Sequence, residues 1–131
     1  MKYLLDTSVF VWSLGAKARL NTAATDLLYS NETQIFLSPV SSWEIAIKYS
    51  LGKIVLPKPP VEFVPGGIRD LGIATLDVTH LHALAAGQLP LHHRDPFDRM
   101  LIAQARTEAM VLLTGDRIFK AYDVDVVFCG N

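Results

Sequence analysis

The chain has 131 residues, 50% of them hydrophobic and 19% charged, with a formal net charge of −1. That length and balance call for one compact domain over residues 1–131 and exclude a disordered tail. A charge so near zero excludes binding of nucleic acid by the field of the whole molecule, so an anionic ligand needs a local basic patch.

One cysteine, Cys129, excludes an internal disulfide and suits a reducing, cytoplasmic setting. No basic leader with a cleavage site is expected, and no apolar span of the roughly 20 residues that a membrane helix needs.

The apolar run Tyr3–Leu5 stops at Asp6 and is followed by Thr7, Ser8 and a second apolar run. This pattern reads as a strand, a carboxylate at its C-terminal tip, and a helix from Thr7 or Ser8 to about Leu14, stopped by Gly15. In open parallel sheets ligands bind beyond the carboxyl ends of strands, which makes Asp6 a candidate for chemistry as well as for a helix cap. Asn21 caps a second expected helix, and Gln34–Leu37 is the second strand. Ser38-Pro39 opens the next helix, in which Val40, Trp43, Ile47 and Leu51 form an apolar stripe ended by Gly52. Glu44 falls at the rim of that stripe, facing inward; a capping box with Ser41 and an i,i+4 pair with Lys48 are its structural alternatives.

Ile54–Pro60 holds three prolines and is expected to be an extended connector. Val61–Leu71 reads as a helix broken at Pro65-Gly66-Gly67, Ile73–Val78 as a third strand, and Thr79 as the cap of a helix carrying Leu81, Leu84 and Ala85. The loop Leu89–Pro96 contains His92, His93, Arg94 and Asp95. Neighbours in sequence rarely turn toward one ion, so the two histidines are read as solvated or facing a substrate.

A helix from about Pro96 to Ala109 buries Leu101, Ile102, Ala105 and Ala109. Asp98 lies in the middle of that stripe and must be compensated by a cap, a cation or a metal. Met110–Leu113 is a fourth strand, leading through Thr114-Gly115-Asp116 into a helix from Arg117 to Tyr122, and Val126–Phe128 is a fifth. Strands alternating with helices imply a parallel sheet covered on both faces. That architecture gathers Asp6, Glu44, Asp98 and Asp116 at one edge.

Four carboxylates without a nearby thiol form a hard oxygen set, which selects Mg²⁺ or Mn²⁺ over Zn²⁺ and suits attack of activated water on a phosphodiester. No phosphate-cradling lysine loop or dinucleotide-binding glycine pattern is present. A non-enzymatic acidic-pocket switch of receiver type is the alternative: Asp77 lies near the end of the third strand, but Asp6 has no acidic neighbour and no lysine follows a late strand.

The stretches DTSVF at Asp6, SSWEIAIK around Glu44, DPFDRMLIAQA around Asp98 and LLTGD ending at Asp116 resemble, in order and spacing, the PIN-domain ribonucleases. More narrowly they are similar to VapC-type toxins of bacterial toxin–antitoxin pairs. The resemblance implies a three-layer α/β fold with a five-stranded parallel sheet, and a Mg²⁺- or Mn²⁺-dependent endoribonuclease. It also implies a homodimer silenced by a cognate antitoxin protein. Position by position, it implies that Asp6, Glu44, Asp98 and Asp116 are catalytic and metal-holding, with Ser8 and Thr114 as hydroxyls that orient carboxylates or waters. Lys48 and Arg94, and after them Arg99, Lys53 and Lys120, are the candidates to touch an RNA backbone. A PIN scaffold that only binds partners is a further alternative.

Overall fold

Five strands alternate with helices in the computed structural model, which describes residues 1–131: β1 (Lys2–Leu5), β2 (Gln34–Leu37), β3 (Ala74–Thr75), β4 (Val111–Thr114) and β5 (Val126–Phe128). They form one wholly parallel sheet in the order β3-β2-β1-β4-β5. The helices are α1 (Thr7–Gly15), α2 (Thr22–Leu28), α3 (Pro39–Ser50), α4 (Pro60–Leu71), α5 (His80–Gly87) and α6 (Pro96–Thr107). Short 3₁₀ turns cover Lys17–Arg19 and Arg117–Ala121. None of the helices is long and apolar enough to cross a membrane.

Strand side chains alternate between faces, and the core divides accordingly. Tyr3, Leu5, Val111 and Leu113 face one way, packing with Val9 and Phe10 of α1, Ala24 of α2 and Phe63 and Val64 of α4. Leu4 and Leu112 face the other way, against Ala86 of α5 and Leu101, Ile102, Ala103 and Ala105 of α6. The sheet is thus the middle of three layers, as expected. Its strand order reverses between β1 and β4, and there the carboxyl ends of two neighbouring strands deliver Asp6 and Asp116.

Several local expectations are corrected. α4 is one continuous helix through Pro65-Gly66-Gly67. The carbonyl that Pro65 leaves without a donor belongs to Val61, 82% exposed, where water can serve it. A Cβ on Gly67 would run into Leu14 and Phe10, so this glycine lets α4 sit close against α1 rather than breaking it. β3 is only two residues long, because its partner β2 ends at Leu37 and Ser38-Pro39 turns away into α3.

In α3 the buried side is Val40, Ser41, Glu44 and Ile45, whereas Trp43 is 61% exposed and Leu51 is also on the surface. The apolar stripe is therefore rotated from the expected one: Trp43 and Leu51 face out, Ser41 and Ile45 join Val40 inside, and Glu44 faces inward as expected. α5 likewise buries His82 and Ala86 and exposes Leu81 and Leu84. His82 accepts the Thr79 N–H on Nδ1 and meets Glu108 through Nε2 at 2.7 Å, which ties α5 to the end of α6. Ala109 lies beyond α6 with φ 54° and is exposed, so it ends the helix instead of extending its stripe. After Asp116 the chain makes a 3₁₀ turn and not an α-helix.

Candidate active site

Asp6 leaves the tip of β1 as the N-cap of α1, and both carboxylate oxygens are held. Oδ1 accepts the Val9 N–H at 2.8 Å, and Oδ2 accepts the Thr114 hydroxyl at 2.5 Å. The Thr114 oxygen in turn accepts the Asp116 N–H at 3.0 Å, so one hydroxyl ties the two strand ends together. Asp6 is only 4% exposed. Burial pushes its carboxyl up to about 6, against the hydrogen bonds from Thr114, Val9 and Gly115, and the Glu44 charge adds to the rise.

Glu44, also 4% exposed, comes from the second turn of α3. Its Oε1 accepts the Thr7 hydroxyl at 2.5 Å, and its Oε2 accepts the Lys48 ammonium at 2.5 Å. Thr7 gives its one proton to Glu44, so Ser41, 3.0 Å away, donates to Thr7. The capping box of Ser41 with Glu44 is therefore not made; Ser38 caps α3 by accepting the Val40 N–H. The i,i+4 pair with Lys48 is made, and chiefly that hydrogen bond holds the Lys48 ammonium above its usual value.

Asp98 lies in the first turn of α6, below the Asp95 cap that accepts the N–H groups of Phe97 and Asp98. Its Oδ2 lies 2.8 Å from His93 Nε2, and its side chain is 18% exposed. Burial pushes the Asp98 carboxyl up to about 6 against the His93 hydrogen bond, helped by the charges of Asp95, Glu44 and Asp6. Asp116 is exposed and caps the 3₁₀ turn through Oδ1, which accepts the Ile118 N–H at 3.0 Å.

All four acids line one pocket of about 240 Å³, together with Thr7, Ser8, Lys48, His93 and Asp95. One donor atom from each of His93, Asp98 and Asp116 lies within 4.8 Å of the others, close enough for a single ion. This donor set fits a divalent metal: carboxylate oxygens dominate, and no thiol is within the pocket. Cys129 is buried elsewhere, its thiol pushed up to about 12 by burial and then by the Asp6 charge, which leaves it unreactive.

The structure reassigns several of the other residues. Ser8 lines the pocket but donates no hydrogen bond to the acids; the neighbouring Thr7 hydroxyl does so instead. Arg99 is not free for a ligand. Its guanidinium donates to the carbonyls of Ala86, Leu89, Pro90 and His93 and so pins the loop before α6. Arg94 stays exposed on that loop, and Lys53 is on the surface. Lys120 lies over the Phe128 ring at 4.9 Å. Asp77 is exposed beyond edge strand β3, and β2 separates β3 from β1, so a receiver-like pocket of Asp77 with Asp6 is not formed.

His93, expected to be solvated or to face a substrate, instead turns into the carboxylates, which is what sequence reasoning misses. The available signal was position: a loop that runs straight into an Asp-capped helix at the carboxyl edge must pass over that edge. Its neighbour His92 turns the other way, edge-on to Tyr122.

Comparison with known proteins agrees with this fold. A 48-residue stretch is 48% identical to ribonuclease VapC16 of Mycobacterium tuberculosis, covering 37% of this chain and 34% of that protein, so the match spans about a third of the relative. The fold is similar to that of VapBC from Salmonella typhimurium solved with DNA, at 20% identity and TM-score 0.74 over 98% of each chain. It is also similar to VapBC2 from Rickettsia felis bound to a fragment of its promoter, at 16% identity and TM-score 0.71, covering 98% of this chain and 99% of that one. The PIN domain family model matches residues 3–125. With the parallel sheet, its order and the acids at its carboxyl edge all in place, the chain belongs to the PIN domain family.

Proposed function

We propose that residues 1–131 form one PIN domain that acts as a divalent-metal-dependent endoribonuclease, the cytoplasmic toxin of a toxin–antitoxin pair. The observation that carries this reading is the convergence of Asp6, Glu44, Asp98 and Asp116 from four separate elements on one pocket. The nuclease family and the ribonuclease name of the partial relative support it.

Asp98 and Asp116 would hold the ion, Mg²⁺ or Mn²⁺, with Asp6 and Glu44 completing the acidic wall. A bound divalent ion supplies Lewis-acid charge at the scissile phosphodiester and makes water nucleophilic near neutral pH. Thr114 and the Val9 N–H keep the Asp6 carboxylate in one orientation, and Thr7 keeps Glu44 turned toward the pocket. Lys48, half-exposed at the rim, neutralises Glu44 and presents its ammonium where a phosphate approaches. Arg94 is the second cation available to the RNA backbone. The exposed Trp43, edge-on to Phe97 at 5.1 Å, marks apolar surface for a cognate antitoxin, whose basic side chain would enter the acidic pocket. A homodimer is the expected assembly.

Incubation of pure protein with structured RNA tests the activity. Cleavage is expected with Mg²⁺ or Mn²⁺ and not with EDTA, with little action on duplex DNA. Equal cleavage in EDTA would overturn the metal-dependent reading.

A further inference from the structure

We propose that His93 is itself a nitrogen ligand of the catalytic ion, so that this site takes Mn²⁺ in preference to Mg²⁺. The inference rests on the reading of the pocket as a metal-dependent active site and adds a residue and a metal class to it. Of the four acids, Asp6 and Glu44 accept one hydrogen bond from the chain on each oxygen, which leaves one lone pair per oxygen. Asp98 Oδ1 and Asp116 Oδ2 accept no hydrogen bond from the chain, and the His93 imidazole completes with these two residues a set whose ligand atoms lie within 4.8 Å of one another.

The spacing suits shared ligation. Donors at neighbouring corners around an ion bound at about 2.1 Å lie about 3 Å apart, and His93 Nε2 is 2.8 Å from Asp98 Oδ2. The ring is also aimed before any ligand arrives. The His93 N–H donates to the Tyr122 oxygen at 2.7 Å, Arg99 holds the His93 carbonyl at 3.2 Å, and the ring lies edge-on to Phe119 at 6.4 Å. Without the ion the Nε2 contact to Asp98 is a hydrogen bond; an ion bound there would take the place of its proton, and Nδ1, which makes no hydrogen bond to the chain, can carry the ring proton instead. Imidazole is a softer donor than carboxylate. It adds little for Mg²⁺, which prefers oxygen and water, and more for first-row transition ions, of which Mn²⁺ is the one that the surrounding carboxylates also suit.

The test is pulsed electron paramagnetic resonance of Mn²⁺-loaded protein, with calorimetric titration of Mn²⁺ and Mg²⁺ alongside. Wild type is expected to show a directly coupled ¹⁴N that disappears in a His93→Gln protein. The same variant is expected to lose at least about tenfold in Mn²⁺ affinity and clearly less in Mg²⁺ affinity. The wild-type spectrum decides the matter even where the variant folds poorly. Mn²⁺ uptake and RNA cleavage without a coupled nitrogen would overturn the His93 assignment alone, since His93 would then only hydrogen-bond Asp98. Coupling that persists in His93→Gln would overturn it as well. A wild type that takes up no Mn²⁺ would overturn both this inference and the reading beneath it.

Discussion

The acidic pocket has two unlike halves. The inner half, Asp6 and Glu44, is buried, and every carboxylate oxygen there accepts a hydrogen bond from the chain: Val9 and Thr114 for one, Thr7 and Lys48 for the other. The outer half, Asp98 and Asp116, is more open and keeps one oxygen of each acid without a protein donor, with His93 between them. Acids can thus share one pocket while doing different work. The inner pair knits β1, β4, α1 and α3 into a fixed wall, and the outer pair offers oxygens that no protein donor holds. A buried carboxylate that accepts a hydrogen bond on each oxygen is structural as well as electrostatic, so removing it disturbs the wall, whereas removing an outer one empties the mouth of the site.

That contrast can be broken most forcefully by activity. Asp98→Asn and Asp116→Asn should each lower RNA cleavage at least about a hundredfold, the scale on which loss of one transition-state electrostatic group is felt. Circular dichroism of both proteins should stay native. Retained cleavage in either variant would erase the distinction between the halves.

The pH dependence comes next in size. Asp6 and Asp98 are both raised to about 6 from an ordinary 3.8. A raised folded value means that the native state keeps protons that the unfolded chain releases earlier. The resulting cost is absent below about pH 4, grows between about 4 and 6, and is complete above. For a shift of this size it is on the order of 2–3 kcal/mol for each of the two groups. The metal-free protein should therefore melt higher at pH 5 than at pH 7, and metal-free Asp98→Asn should melt above wild type at pH 7. Added Mg²⁺ should stabilise wild type at pH 7 and lose that effect below about pH 6, where protons compete for the same carboxylates. Thermal melts with EDTA and with Mg²⁺ measure all of this. An Asp98→Asn protein that melts lower than wild type without metal would make Asp98 chiefly a structural residue.

The inner half is sharpened by Thr7→Val, which keeps the shape and removes the donor to Glu44 Oε1. A buried acceptor left without a partner costs about 1–3 kcal/mol. Urea unfolding should show that loss, and the calorimetric affinity for metal should fall less than in the outer-acid variants. The smallest expected effect lies outside the pocket. Gly67→Ala pushes a methyl group into Leu14 and Phe10 between α4 and α1. It should cost about 1 kcal/mol once the better helix propensity of alanine is set against the overpacking. Cleavage per folded molecule should not change.

How far all this was legible in the sequence follows from range. The sheet, its parallel sense and the convergence of the four acids on one pocket were readable because each strand is a short apolar run and each acid stands at a recognisable local boundary: after β1, on the rim of α3, in the first turn of α6, and after β4. The faces of the helices were less readable. Trp43, Leu81 and Leu84 sit outward because α3 and α5 bury small or polar residues that have partners, Ser41 and Glu44 with Thr7, and His82 with Thr79 and Glu108. Such pairings join residues 26 to 37 positions apart where they cross elements, and no local period encodes them. Pro65-Gly66-Gly67 suggested a break because the prior for proline is local, while the deciding contact, Gly67 on α1, is tertiary. His93 was hidden for the same reason: its orientation comes from Arg99 and Tyr122, which lie after it in the chain.

The most direct test of the two-halves reading is calorimetric titration of Mn²⁺ into metal-free wild type, Asp98→Asn and Thr7→Val at pH 7.5. Saturable binding is expected in wild type and in Thr7→Val, with loss of at least about tenfold in affinity confined to Asp98→Asn. Unchanged Mn²⁺ affinity in Asp98→Asn would contradict the assignment of the outer acids as the ones that hold the ion.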